Sequence, residues 1–149
     1  IPNLNSQIKF KLSQAGLSID DINKSFNKIT QALKNMCDCE HAKWILNKDH
    51  IKREHEFSLY IYNNKNKKLE KRTIDCWFID KNNDIYIIDF KLNDAEDINS
   101  QLKIYSQQLS NYKNKLAGYL DSKDNQDLAK IKSIKTGLYF PLVKKIIFT

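Results

Sequence analysis

Two aspartates and a lysine stand inside the most apolar part of the chain. The stretch TIDCWFIDKNNDIYIIDFK, residues 73–91, sets Asp75 in one strand-like run and Asp89 with Lys91 in the next. Residues two apart on a strand project to one face, so Asp89 and Lys91 point together. Asp75 joins them across a short hairpin when the register sets it opposite or diagonal to Asp89. Two carboxylates at such a distance repel each other unless a cation lies between them. Their hard oxygens, with room for water, suit Mg²⁺ or Mn²⁺. An ammonium beside them can orient or help deprotonate an attacking water. It can also offset charge on a phosphorane-like transition state. The plainer alternative is a structural salt bridge between Lys91 and either aspartate.

Two further groups sit at spacings that could serve the same chemistry. In KREHEFSLYIY, Glu54 and Glu56 share a face of a strand expected to neighbour that of Asp75, and one of them could add a third acid. In QLKIY, Gln101 and Tyr105 lie one helical turn apart, on a helix that follows Lys91 after a short loop. Their amide and phenol could contact a DNA phosphate or order the acids. Alone, such a pair is weak evidence, and a tyrosine at this position is more often simple core.

The elements that must hold these groups follow from apolar periodicity. Ser18 followed by Asp21 has the form of a helix N-cap with an acidic first turn. Ile19, Ile22, Phe26, Ile29, Leu33 and Met36 then recur at helical steps and predict one apolar face. A shorter helix is expected over Glu40–Leu46, carrying Trp44 inward. Phe57, Leu59 and Ile61 predict a first strand, NNKNKKLEKR a solvated turn, Ile74–Ile79 a second strand, and Ile85–Lys91 a third beyond the KNND hairpin. From Asp94 to Leu120 an apolar stripe predicts a long helix. A polar loop over 121–125, a short helix over 127–132, and strands at SIKTGLYFP and KKIIFT complete the order, the last a candidate edge. Helix, three strands, long helix and strand predict an α/β fold, one domain over residues 1–149, with a mixed central sheet flanked by helices.

Composition narrows the partner. A net charge of +7 favours an acidic one, for which nucleic acid is the usual candidate; a lysine-rich solvated surface is the alternative. Lys65, Lys67, Lys68, Lys71 and Arg72 cluster in the stretch read as a turn, either solvated or a phosphate-contacting arm. The three cysteines, Cys37, Cys39 and Cys76, are an odd count in a C-D-C spacing unusual for zinc, and predict reduced thiols in a cytoplasmic protein. No run is long and apolar enough for a membrane span and no signal peptide is visible, so no membrane partner is expected. The sequence begins with Ile1 rather than Met and is expected to be a piece of a longer one.

Taken in order, R-Glu54-H-E-F, T-I-Asp75, I-I-Asp89-F-Lys91 and Gln101-L-K-I-Tyr105 resemble the RecB/AddA-type branch of the PD-(D/E)xK nucleases, the C-terminal nuclease domain of helicase-nucleases. Upstream DCEHAKWIL resembles the family's Trp-ending segment, and TGLYFP its late strand, so the likeness spans nearly the whole sequence. The D-x-K motif alone is unspecific; the four-part series is fairly specific. The resemblance implies a restriction-endonuclease-like core and metal-dependent hydrolysis of DNA in double-strand break repair and recombination. Asp75, Asp89 and the backbone carbonyl of Phe90 would ligate Mg²⁺ or Mn²⁺. Lys91 would position or activate the water, Glu54 would complete the acidic cluster, and Gln101 and Tyr105 would support the site and the DNA. It further implies a parent protein with an ATP-binding helicase region and further subunits of a repair complex; no G-x-x-x-x-G-K-[ST] motif occurs here.

The sequence departs from the family at Thr73, Cys76 and Leu92, where Gly, Arg and a small hydroxyl residue are usual. The family's metal-ligating histidine, upstream of the Trp segment, has no counterpart: His41, His50 and His55 come too late and are expected to be solvent-exposed. The motif histidine is expected before Ile1, and these residues alone are expected to bind metal weakly and cut slowly. Other roles on the same fold are a stand-alone exonuclease, a restriction-type endonuclease, or a non-catalytic DNA-binding domain.

Overall fold

The computed structural model describes residues 3–93, 97–122 and 130–149. Helices α1 (Leu4–Gln14), α2 (Ile19–Cys37) and α3 (Glu40–Ile45) come first. Strands β1 (Lys52–Asn63), β2 (Lys68–Ile79) and β3 (Asp84–Phe90) follow, then helix α4 (Ile98–Asp121) and strands β4 (Ser133–Phe140) and β5 (Lys145–Phe148). The five strands form one sheet in sequence order. All neighbours run antiparallel except β3 and β4, which are parallel and joined through α4. The fold is α/β with a mixed sheet, as the order of periodicities predicts.

Each face of the sheet buries its own set. Towards α4, Trp77, Ile79, Ile85 and Ile87 pack with Tyr112, Leu116 and Leu120. Towards α3, Cys76, Phe78, Ile88 and Tyr139 pack with Cys39, Ala42 and Ile45. A central strand covered on both faces has to divide its residues between two such clusters, as β2 and β3 do.

Several expectations shift. NNKNKKLEKR is not all turn: β2 begins at Lys68 and pairs with β1 out to Asn63↔Lys68. Its charges mask a strand whose far end projects as a two-stranded arm. The long helix starts at Ile98, where Asp97 accepts from the N–H groups of Asn99 and Ser100 at 3.1 and 3.3 Å. Positions 94–96 and part of the expected helix over 127–132 lie outside the described residues. Ser18 does cap α2, accepting from the Asp21 N–H at 3.2 Å. The apolar stripe of α2 is only partly used, with Ile19 78% exposed. Trp44 is carried inward as expected, half-buried against the core on the α3 side, beside the fully buried Ala42 and Ile45. It meets Tyr86 and Phe78 edge-on at 4.8 and 5.0 Å.

The outer strand is held close. A Cβ on Gly137 would lie 2.9 Å from the Ile147 carbonyl oxygen and 3.0 Å from the Phe148 ring, so only glycine admits β5 at this spacing. Among the described residues no helix is long and apolar enough to cross a membrane.

Candidate active site

The acids meet where β2 and β3 part. The ladder between these strands runs from Ile79↔Ile85 to Cys76↔Ile88. One step further sets Asp75 across from Asp89, the register the hairpin length favours. The Phe90 N–H donates to Asp75 Oδ2 at 2.7 Å, which ties the two strand ends together. Asp89 is 4% exposed. Lys91 Nζ makes an ion pair with Asp89 Oδ2. The ammonium is the partner of this buried oxygen, and its charge and hydrogen bond favour the carboxylate form. The Lys91 ammonium also sits 3.8 Å from the Tyr105 ring centroid, so α4 supports it.

Burial pushes the Asp89 carboxyl above its ordinary value; the Lys91 charge works against this and the Asp75 carboxylate adds to it. Tyr112 lies close enough to feel both acids and Lys91, but burial is the main cause of its raised value. Its hydroxyl donates to the Thr73 carbonyl at 3.2 Å and accepts from Gln108 Nε2 at 2.7 Å. This bond caps a β2 carbonyl beyond the end of β3.

The structure therefore brings Asp75, Asp89, Lys91 and Tyr105 together. Gln101 lies to one side, its amide oxygen accepting from Asn93 Nδ2 at 3.2 Å. Glu54 pairs in the ladder with Trp77 and forms an ion pair with Lys52 at 3.6 Å. The glutamate that shares a cavity with Asp75 is Glu56, in an open space of about 480 Å³ also lined by His55 and Phe90. Glu56 adopts φ 52°, a left-handed conformation uncommon for a side-chain-bearing residue. It falls opposite Asp75 and breaks the pleat. Phe57 beyond it packs on Trp77, the partner of Glu54 before it. No periodicity in the sequence signals that switch.

The histidines differ from expectation in part. His41 and His55 are exposed. His50 is half-buried, stacked on Phe78 at 4.1 Å with Nε2 2.6 Å from the Trp44 carbonyl oxygen. His55 is held below its ordinary value by burial and by the Arg53 charge, with Glu56 opposing, which favours a neutral imidazole at neutral pH.

The donors fit a hard divalent cation in type: two neighbouring carboxylates, one of them buried. They are a pair rather than a full cage, and among the described residues no three His, Cys, Asp or Glu groups cluster tightly enough to hold an ion alone. No protein-family model matches the sequence, and no curated protein matches it.

Proposed function

We propose that this protein is a metal-dependent nuclease domain of the PD-(D/E)xK type, with a restriction-endonuclease-like core, that hydrolyses DNA phosphodiesters. The observation that carries the reading is the Asp89 carboxylate. It is buried, stands across from a second carboxylate, and has an ammonium as its neighbour. Structural ion pairs on sheets have no need of a second acid opposite them. The two strands whose ends carry these groups are rigid, so the separation of the acids is set by the ladder rather than by loops.

Asp75, Asp89 and the Phe90 carbonyl would hold Mg²⁺ or Mn²⁺. When bound, the ion supplies a Lewis acid for the phosphate oxygens and lowers the pKa of a coordinated water. The protein's own groups do the rest. The Phe90 N–H fixes one oxygen of Asp75 and so aims the other. Lys91, held between Asp89 and the Tyr105 ring, presents its ammonium where charge builds on the phosphate and orients the attacking water. The water oxygen bonds to phosphorus, one ester P–O bond breaks, the water's proton is lost and the leaving oxygen takes one up. A cytoplasmic helicase-nuclease acting at DNA breaks is the setting we infer for it.

The test is made in the natural full-length protein with linear DNA and Mg²⁺ or Mn²⁺. Asp89→Ala and Lys91→Ala should each lower degradation by at least a hundredfold, or about 3 kcal/mol. Wild-type rates in both variants would refute the site. A wild-type protein that never cuts with either ion would leave DNA binding without catalysis as the function.

A further inference from the structure

We infer that the arm formed by the outer halves of β1 and β2 is a stacking platform for single-stranded DNA, with Tyr60 and Tyr62 taking bases and lysines taking phosphates. The identity of the ligand as DNA rests on the nuclease reading above; the rest is carried by the arm itself. β3 pairs with β2 only at residues 76–79, so β2 from Lys68 to Ile74 continues beyond the sheet with β1 as its sole strand partner.

The two faces of this arm differ. On one, Leu59 is buried in the core, while Ile61 and Arg72 line a cavity against Gln108, Asn111 and Tyr112 of α4. On the other, Tyr60 lies opposite Lys71, and Tyr62 opposite Leu69. Tyr60, Tyr62 and Leu69 are 62%, 51% and 68% exposed. Among the described residues neither tyrosine ring stacks on another ring. Isolated exposed apolar residues are ordinary, but two aromatic rings at i, i+2 on one face of a projecting ribbon form a surface.

Charge chooses the occupant. Lys65, Lys67, Lys68 and Lys71 make no ion pair among the described residues, whereas the one acid of the arm, Glu70, is engaged by Arg72, Asn63 and Asn66 at 2.7 to 2.8 Å. A second copy of this protein would bring like charge to like charge. A polyanion with flat apolar faces answers both features.

Spacing chooses the strand form. Rings two residues apart on a strand are about 6.7 Å apart, twice the ~3.4 Å step between stacked bases of a duplex strand. Successive bases and rings can interleave at that repeat only when the strand is unpaired and stretched. Lys71 lies four residues from Asp75, about 13 Å along β2, so a strand laid on the arm runs towards Asp75 and the cavity it shares with Glu56.

The experiment measures binding by fluorescence anisotropy in EDTA, where no hydrolysis occurs. The probes are labelled dT20, an abasic twenty-mer of equal charge, and a twenty-base-pair duplex. Tyr60→Ala with Tyr62→Ala should weaken dT20 binding by about fivefold or more per ring while leaving the abasic strand and duplex unchanged. Tyr→Phe at both positions should retain affinity. Tyr→Leu at both, which keeps apolar bulk and suits a strand, should lose it if the alanine protein is poorly folded. Lys67→Gln with Lys71→Gln should lower the salt slope for dT20 by about 1.4. Unchanged dT20 affinity in both the alanine and leucine proteins, equal losses on dT20 and the abasic strand, or a loss of self-association instead would overturn the inference. Because binding is read without metal, absence of cleavage would count against the nuclease reading alone, and tyrosine-independent binding against this one alone.

Discussion

Lys91→Met isolates what the lysine does for the resting fold. The substitution keeps a long unbranched side chain beside Asp89 but removes its charge. Asp89 and Lys91 side chains are 6% and 16% exposed, so solvent screens the pair little. Removing one member of such a pair costs about 3–5 kcal/mol, because the other is left as an uncompensated buried charge. Here Asp75 stands opposite as a second negative charge, so nothing nearby replaces the ammonium. For a protein of 149 residues, about 3 kcal/mol lowers Tm by roughly 6–12 °C at pH 8. The pH dependence then has a definite sign. Burial already raises the Asp89 value above that of the unfolded state, and losing Lys91 raises it further. A group with a raised folded value binds its proton more tightly in the folded state. Lowering the pH through that value therefore returns stability, up to a limit near the ordinary carboxyl value of 3.8. One proton of difference is worth about 1.36 kcal/mol per pH unit, so most of the loss should be recovered over about two units. Urea unfolding of variant and wild type at several pH values, compared pairwise so that the other acids cancel, measures this. Mn²⁺ at pH 8 should narrow the same gap by supplying positive charge between Asp75 and Asp89. A difference between the two proteins that stays flat from pH 8 to pH 5 would refute the reasoning.

Two other outcomes follow from the packing. Gly137→Ala forces a methyl against the Ile147 carbonyl and should cost about 1–3 kcal/mol, with amide exchange of residues 145–148 accelerating before that of β2 and β3. Thiol titration at pH 8 should find Cys37 reactive at once and Cys39 slow because it is buried. Cys76, whose thiol burial pushes up to about 12, should react only on unfolding.

The convergence of Asp75 with Asp89 and Lys91 is legible in the sequence because one short hairpin and the two-residue period leave little freedom. The α4 stripe is legible for the same kind of reason, and with it the Tyr105 position. What escapes is set by conformation rather than pattern. Glu56 takes a left-handed φ, which no alternation reveals, and so the cavity beside Asp75 holds Glu56 and His55 where spacing to Phe57 favours Glu54. The arm is hidden because its tip, residues 63–68, is all lysine and asparagine, a run that reads as a turn. Cross-strand pairing with β1, not side-chain type, makes residues 68–73 a strand. His50 escapes too, since exposure preference says nothing of a ring stacked on Phe78.

The pairing of β3 with β4 has a bearing on how the molecule folds. Asp84 lies beside Ser133, 49 residues away, and closing that span costs conformational entropy before any ladder bond repays it. The bond from Phe90 to Asp75 spans 15 residues. Local contacts form early, and those of high sequence separation late. The three-stranded meander that carries the two aspartates can thus assemble while the residues that follow it are still unfolded, whereas Lys91, bonded to the Tyr139 carbonyl and set against the Tyr105 ring, is fixed only when α4 and β4 dock. The rate-limiting event then falls to the docking of α4 and β4. The acids belong to the fast-folding half of the molecule and the lysine is completed by the slow one, so slow variants are to be sought in α4 and β4 rather than around the acids.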